Sequence, residues 1–177
     1  MEVEELSQAI EKYGKDVYRF CYKISGDLDQ ADELYQQTFL KATELCQKID
    51  NAQNPKAFFV AISARLWQNQ RRKMGWRNRI AKMEMLQEEL TNLPQQDETS
   101  TPESLVLSKE VHTMIEMALA SLNDKLKIPL YMYYSTGLTV EDIASTLGIP
   151  IGTIKSRLYK ARKMMKNHME DNGYERF

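Results

Sequence analysis

The chain contains 177 residues, 42% of them hydrophobic, which is enough for one medium domain or two small domains with buried cores. No apolar run approaches the roughly 20 residues needed to span a bilayer. The segment MEVEELSQAI is acidic where a secretion signal would be basic and then apolar. These features predict a soluble cytoplasmic protein with no direct membrane insertion.

The formal net charge of −1 conceals two clusters of basic residues. The first basic cluster contains Arg71, Arg72, Lys73, Arg77, Arg79 and Lys82. The second basic cluster contains Lys155, Arg157, Lys160, Arg162, Lys163 and Lys166. Because acidic residues gather elsewhere in the chain, the two clusters predict two separate contacts with a polyanion.

The residues needed for catalysis or for metal binding do not occur in a useful arrangement. The sequence has no glycine-rich phosphate loop, no His-x-x-x-His pair and no nucleophile with a plausible base nearby. Cys21 and Cys46 lie in amphipathic patterns, so we interpret them as small core residues in a reducing compartment. We therefore predict no enzyme activity, no cofactor and no metal site.

Apolar residues recur at intervals of three and four along almost the whole chain, which predicts an all-α fold. In the first long pattern, a core face contains Ala31, Leu34, Tyr35, Thr38, Ala42 and Leu45. The opposite face contains Asp32, Glu33, Gln36, Gln37, Leu40 and Thr43. Leu40 is thus an apolar side chain in a polar surface, which suits a protein interface. Single exposed leucines are common, so this feature alone does not establish one.

Residues 58–79 combine aromatic and basic side chains in one predicted helix. The aromatic residues are Phe58, Phe59, Trp67 and Trp76, and basic residues are interleaved with them from Arg65 to Arg79. Aromatic surfaces hold unstacked bases, and basic groups follow a nucleic-acid strand. Helical spacing places Phe59, Ile62 and Leu66 in the core instead.

The segment TNLPQQDETSTPES has two prolines and no basic residue, a composition typical of a linker. Thr101 is a good N-cap and Pro102 suits the first turn of a new helix. We therefore predict two small helical domains, residues 1–90 and 102–170, joined by a flexible linker at 91–101. Residues 171–177 form a polar tail.

A helix-turn-helix is predicted in the second domain. Residues 139–147 form a short helical pattern with Thr139 as N-cap and Asp142 at the capping-box position, and Gly148-Ile149-Pro150 supplies a tight turn into the next helix. At about 100° per residue, the core face of that next helix contains Ile154, Leu158, Ala161 and Met165. The exposed face contains Lys155, Ser156, Tyr159, Lys160 and Lys163, flanked by Thr153 and Arg157. These side chains suit contacts with base edges and phosphates, although a basic helix face can also be merely solvated.

Three stretches of the sequence resemble one family. GIPIGTIKSRLYKAR, within residues 121–166, is similar to the promoter-reading C-terminal domain of the extracytoplasmic-function group of sigma-70 family factors. ADELYQQTFLKATELCQKID resembles the segment with which such factors bind the clamp helices of the largest RNA polymerase subunit. NPKAFFVAISARLWQNQRRK resembles the following part, which handles the minus-10 element. The resemblance covers nearly the whole chain.

This resemblance implies that core RNA polymerase, promoter DNA and an anti-sigma factor are the partners. It implies polymerase binding by Asp32, Glu33, Gln36, Gln37 and Leu40. It implies minus-10 contacts by Phe58, Arg65, Asn69, Arg72 and Lys73, and minus-35 contacts by Thr153, Lys155, Ser156, Arg157, Tyr159, Lys160 and Lys163.

The chain departs from the family pattern at three positions. Gln37 follows Gln36 where the family usually has glutamate, and this change bears on the strength of polymerase binding. Arg65 replaces the usual asparagine, and Asn69 replaces the usual aspartate. Both of these changes make the face less negative, and they bear on which minus-10 bases are recognised.

Two other classes of protein compete with this interpretation. A stand-alone helix-turn-helix regulator would use the same second domain, but its first domain should carry a ligand pocket or an apolar dimer stripe. A protein-binding module that sequesters another factor would not need the exposed basic face from Lys155 to Lys160.

Overall fold

The computed structural model describes the backbone of residues 3–45, 54–81 and 102–172. In these ranges it contains seven helices, and the all-α prediction is confirmed. They are α1 (Val3–Ser25), α2 (Leu28–Leu45), α3 (Pro55–Ala81), α4 (Pro102–Ala120), α5 (Asp124–Tyr134), α6 (Val140–Leu147) and α7 (Ile151–Asp171).

Helices α1, α2 and α3 pack on one another as a first bundle. Its core contains Phe20, Leu34 and Phe59, none of which is exposed to solvent. The hydroxyl end of the Tyr35 side chain of α2 lies against Gly14 of α1, where an added Cβ would lie 2.9 Å from the hydroxyl oxygen. Glycine at this position therefore leaves room for the Tyr35 hydroxyl.

Helix α3 is fixed at its start and becomes exposed toward its end. The Ala57 amide donates to the Asn54 side-chain oxygen at 3.4 Å, which caps the helix. Lys56 Nζ lies 2.6 Å from Asp16 Oδ2 and so joins α3 to α1. Phe59 and Ile62 are buried and Leu66 is half-buried, so their predicted core positions agree with the structure.

Helices α5 and α6 pack on α7 in the second bundle, and α4 packs on α7 as well. The predicted capping box of α6 is present, because the Asp142 amide donates to Thr139 Oγ1 at 3.0 Å and the Thr139 amide donates to Asp142 Oδ2 at 3.2 Å. Gly148 ends α6 with φ 65°, a left-handed conformation that glycine adopts readily. Helix α7 begins three residues later, so the predicted helix-turn-helix is confirmed.

The two bundles also contact each other. Helix α5 packs against α1 and α3, and α6 packs against α3. Lys23 Nζ donates to Ser135 Oγ at 3.1 Å, and Arg71 Nε donates to Asp124 Oδ2 at 3.3 Å. The predicted linker at residues 91–101 lies outside the described residues.

Cys21 is a free, fully buried thiol, as predicted, whereas Cys46 lies outside the described residues. Within the described part of the chain, no helix is both long enough and apolar enough to cross a membrane. The same part of the chain has no group of three or more His, Cys, Asp or Glu side chains placed to hold a metal ion.

Candidate nucleic-acid interface and docking helix

Helix α7 carries the predicted exposed face. Ile154, Leu158 and Ala161 are buried, and Met165 is half-buried, so the calculated helix phase is confirmed. On the other side, Lys155, Ser156, Tyr159, Lys160 and Lys163 are exposed, and Thr153 and Arg157 are half-buried. Tyr159 is 66% exposed, which is unusual for an aromatic ring without a partner molecule. The face therefore offers cations, hydroxyls and one ring to a ligand.

Two other features of the helix-turn-helix domain shape this face. Arg162, which belongs to the second basic cluster, turns toward α5, where its Nη1 lies 3.4 Å from the Tyr134 hydroxyl. Its Nε also donates to the Leu158 carbonyl at 3.2 Å. At the start of α7, Ile151 is 42% exposed beside the positive end of the helix. Sequence reasoning missed Tyr134 and Ile151, because neither belongs to a charge cluster.

A second exposed face lies on α3. Phe58, Arg65, Asn69 and Arg72 recur at intervals of seven, four and three residues, so they lie along one stripe of the helix. Arg65, Asn69, Arg72 and Lys73 are exposed, whereas Phe58 is half-buried. Arg72 Nη2 donates to Asn69 Oδ1 at 2.6 Å, which orients both side chains. The structure thus brings these five predicted minus-10 residues together on one helix.

Trp67 does not belong to the exposed face. The sequence predicted its ring as one of the aromatic surfaces for bases, but Trp67 is only 4% exposed, so that prediction is wrong. The physical reason is its spacing of seven residues from the fully buried Val60, which places both residues on the core side of α3. The remaining aromatic residue, Trp76, and the basic residues Arg77 and Arg79 lie outside the described side chains.

Helix α2 presents the predicted docking face. Asp32, Glu33, Gln36 and Leu40 are exposed, and Leu40 is 67% exposed. An apolar side chain as exposed as that of Leu40 is typical of a surface that a partner protein covers.

Gln37 differs from its predicted neighbours on this face, because it is half-buried between α2 and α3. Its Nε2 donates to Glu33 Oε1 at 2.8 Å, and its Oε1 accepts from Gln70 Nε2 at 3.4 Å. The second glutamine of the Gln36-Gln37 pair therefore links the docking helix to α3.

A chain of aromatic rings lies beneath the docking helix. Tyr18 packs edge to face on Tyr35 at 5.4 Å between ring centroids, and Tyr35 packs on Phe39 at 4.7 Å. Phe39 then packs on Phe59 at 5.0 Å, and Phe59 lies 5.7 Å from Phe58. Edge-to-face pairs of this kind stabilise a core beyond their buried area. The aromatic chain packs α2 against α1 and α3, and it ends at Phe58, the half-buried ring of the α3 stripe.

Comparisons with known proteins agree with this arrangement. The family model of sigma-70 region 2 matches residues 9–77, and the model of sigma-70 region 4 matches residues 112–165. Together they account for most of the chain in the order found here.

Individual relatives belong to one group of sigma factors. The chain is 27% identical over 168 residues to the ECF RNA polymerase sigma factor SigE of Mycolicibacterium smegmatis, covering 95% of this chain and 63% of that relative. It is 23% identical to the ECF sigma factor SigW of Bacillus subtilis, covering 95% of this chain and 90% of the relative. The fold matches RpoE of Bartonella quintana, solved with the anti-sigma factor NepR, with a TM-score of 0.76 at 23% identity over 95% of this chain and 98% of that one.

A helix-turn-helix that presents a basic face, preceded by a helical bundle with a second basic face, defines a DNA-binding transcription factor. With both family models and these relatives, the chain belongs to the sigma-70 family, in its extracytoplasmic-function group. The identification made from the sequence is therefore confirmed. Members of this family initiate transcription with core RNA polymerase and are not enzymes themselves.

Proposed function

We propose that the protein directs core RNA polymerase to promoters by using three helices for three contacts. Helix α2 docks on the polymerase, α3 handles the minus-10 element, and α7 reads the minus-35 element. The observation that carries this proposal is that one chain exposes two basic faces of different chemistry, on α3 and α7, and a separate docking face on α2.

Helix α7 supplies duplex recognition in this proposal. Lys155 and Lys160 lie five residues apart on its exposed face, with Ser156 and Tyr159 between them. Lysine donates to the acceptors of guanine in the major groove, and hydroxyls can contact either a base or a phosphate. The Ser156 hydroxyl donates to the Thr153 carbonyl at 2.9 Å, so its oxygen is directed to accept a hydrogen bond from outside. Arg157 and Thr153, at the flank, contact the phosphate backbone.

Helix α3 supplies the contact with the opened minus-10 strand. Arg65, Arg72 and Lys73 contact phosphates along the strand, while Phe58 offers a ring edge to an unstacked base. The hydrogen bond from Arg72 to Asn69 leaves the Asn69 amide nitrogen as the group directed to a base. An amide donor where the family usually has a carboxylate favours a base that presents an acceptor.

Polymerase binding relies on the exposed face of α2. Leu40 is the apolar anchor, and Asp32, Glu33 and Gln36 form its polar rim. This division into an apolar centre and a polar rim is common in protein interfaces. Gln37 contributes less directly, because its amide is already engaged by Glu33 and Gln70.

An anti-sigma factor is the proposed negative regulator, acting in the cytoplasm. The sigma factor RpoE was solved with the anti-sigma factor NepR, and CnrH, which has a similar fold, was solved with the cytosolic domain of CnrY. CnrH matches 97% of this chain with a TM-score of 0.67 at 12% identity. The exposed Leu40 face is the surface that an inhibitor would cover to block polymerase.

The proposed division of the chain assigns residues 1–90 to the first domain, 91–101 to a linker, 102–170 to the second domain and 171–177 to a tail. The start of α4 at Pro102 and the end of α7 at Asp171 support these boundaries. A tether makes the second DNA contact local, so two weak modules act at a high effective concentration.

In vitro transcription from a mixed promoter library tests the proposal. Bacterial core polymerase with the protein should give new start sites that share two spaced elements, and polymerase alone should not. Binding of DNA in the absence of polymerase, without any dependent transcript, would instead support a stand-alone regulator.

A further inference from the structure

Glu33 on the docking face is the end of a short chain of hydrogen-bonded side chains that begins on α3. Gln70 Nε2 of α3 donates to Gln37 Oε1 of α2 at 3.4 Å, and Gln37 Nε2 donates to Glu33 Oε1 at 2.8 Å. Gln70 and Gln37 are half-buried, whereas Glu33 is exposed. We call these three side chains the amide relay.

The direction of the hydrogen bonds in the amide relay is fixed by the chemistry of its ends. An ionised carboxylate only accepts hydrogen bonds, so Glu33 requires the N–H end of the Gln37 amide. Gln70 engages the other end of that amide, because it donates to the Gln37 oxygen. Turning the Gln37 amide over would place its oxygen against the Glu33 carboxylate. Gln70 therefore determines which end of Gln37 faces the docking surface.

The amide relay restricts Glu33 before any partner binds. Glu33 Oε1 accepts from Gln37, and its Oε2 is left to accept from a partner protein. A freely rotating glutamate loses side-chain entropy when a partner fixes it. Because Gln37 already restricts the Glu33 carboxylate, part of that loss occurs on folding instead of on binding.

A second carboxylate on the docking face is oriented in a similar way. The Tyr18 hydroxyl of α1 donates to Asp32, and this hydrogen bond is the largest cause of a raised pKa for Tyr18. Asp32 is thus oriented from α1, and Glu33 is oriented from α3 through Gln37. The neighbouring helices therefore prepare both acidic side chains of the docking face for a partner.

Position 37 is where the chain has glutamine in place of the glutamate that is usual in the family. A glutamate has no N–H to donate, so it could not hold the Glu33 carboxylate. It would also place a like charge four residues from Glu33 on the same helix, where the two would repel each other. The neutral amide of Gln37 is therefore matched to the acid at position 33.

We propose that Gln37 and Gln70 are positioning residues for polymerase docking and that they act through the Glu33 carboxylate. The inference rests on the proposed role of α2 in binding core RNA polymerase. It gives a part in polymerase binding to Gln70, which belongs to the helix of the minus-10 face and not to the docking helix. The group that Glu33 meets on the polymerase is a lysine or an arginine, since these side chains form the strongest hydrogen bonds to a carboxylate.

Equilibrium binding of the full chain to core RNA polymerase tests the proposal. Gln37→Met and Gln70→Met nearly keep the length of the side chain and remove its amide. Each should weaken binding by about two- to tenfold, the effect of one side chain that must be immobilised on binding. Gln37→Glu should also weaken binding, because it removes the donor to Glu33. Gln68→Met makes the same change at an exposed position of α3 and should bind as the parent does.

Replacement of Glu33 separates positioning from a general effect on the fold. In a Glu33→Ala background, Gln37→Met and Gln70→Met should cause no further loss of affinity, since the group that they position is gone. Losses equal to those in the parent background would show that the glutamines only stabilise the bundle, and would overturn the proposal. Parent-level binding by both methionine variants would overturn it as well. Circular dichroism identifies any variant that has failed to fold, and the other methionine variant then carries the test.

Nuclear magnetic resonance of the free protein tests the amide relay without polymerase. The signals of the Gln37 side-chain amide should shift in Glu33→Ala and in Gln70→Met, and they should stay in place in Gln68→Met. Unchanged signals in the first two variants would overturn the relay itself.

The two measurements also separate this proposal from the proposed function. If the amide signals shift as expected but the parent does not bind core polymerase, the proposed function fails, and the relay is left as a feature of the fold with no part in docking. If the parent binds polymerase and the relay variants bind equally well, the positioning role fails and the proposed function stands.

Discussion

At the scale of single residues, the burial of Cys21 determines how readily its thiol ionises. Burial raises the pKa of this thiol from 9.0 to about 11, opposed by its contacts with Ser63 and Thr38. The two hydroxyls lie 3.0 Å apart in the core, where Thr38 Oγ1 is 2.7 Å from the Leu34 carbonyl. A thiol with a raised pKa is a poor nucleophile at neutral pH, so Cys21 is a packing residue.

The raised pKa of Cys21 predicts a loss of stability in alkali. The unfolded thiol ionises near pH 9 and the folded thiol near pH 11, so stability present below pH 9 falls as the pH rises toward 11. By pH 10 the loss should be about 1 kcal/mol. Guanidinium unfolding at several pH values, in a Cys46→Ala background, measures this loss of the free energy of unfolding. Cys21→Ala should flatten this part of the profile, and an unchanged slope would contradict the argument.

Substitution of Lys160 tests whether the exposed face of α7 contacts base edges or only phosphates. If Lys160 reads a base edge, Lys160→Ala should weaken binding by about 1–3 kcal/mol and relax selectivity at one base pair. If Lys160 touches only phosphate, binding to every DNA sequence should weaken equally. The slope of log affinity against log salt concentration should then fall in magnitude by about one. Holoenzyme binding to promoter variants over a salt series separates the two results.

Lys125→Ala is the control for Lys160, because Lys125 is an exposed lysine of α5 that belongs to neither basic cluster. Its removal should leave promoter binding unchanged. If Lys160→Ala also leaves binding unchanged, Lys160 does not belong to the site.

At the scale of helices, the docking role of α2 depends on one exposed side chain. Leu40→Asp should abolish binding to core polymerase, because it places a charge at the centre of the interface. The fold should survive, since Leu40 is 67% exposed and contributes little to the core. Affinity capture of core polymerase, with circular dichroism of the free variant, measures both results.

A second exposed leucine on the same helix provides the control. Leu28 is 47% exposed, and twelve residues of helical rotation place it about 120° away from Leu40. Leu28→Asp should therefore capture polymerase as the parent does. Capture of polymerase by Leu40→Asp at the parent level would refute the docking face.

Helical periodicity explains why most of the elements could be predicted from the sequence. The phase of α7 follows from Ile154, Leu158 and Ala161, and the start of α6 follows from the Thr139 and Asp142 capping box. The burial of Trp67 was missed because its aromatic and basic neighbours suggested nucleic-acid stacking. Its seven-residue spacing from Val60 was the available signal.

At the scale of the whole molecule, the contact between bundles could not be predicted from the sequence. Arg71 and Asp124 are 53 positions apart, and Lys23 and Ser135 are 112 apart. These polar pairs have no periodicity of their own, and the buried residues of the two bundles form one continuous core, so apolar spacing does not distinguish the surface between the bundles from the core of each bundle. Charge patterns show which residues repel or attract, but only the packing of α5 on α1 and α3 shows which pairs meet.

The tether between the domains leads to the last prediction. If residues 91–101 act only as a flexible connection, doubling their number with Gly-Ser repeats costs about 0.6 kcal/mol of closure free energy. Promoter binding by the holoenzyme should then weaken by only about threefold.

Replacing residues 91–101 with a Gly-Ser segment of equal length is the matched control, and it should bind as the parent does. Quantitative footprinting of both promoter elements measures each variant. A loss well beyond tenfold in the equal-length variant would show that residues 91–101 contact polymerase or DNA directly. A tether that only sets effective concentration tolerates such changes, because that concentration falls slowly with length once the linker can span the two sites.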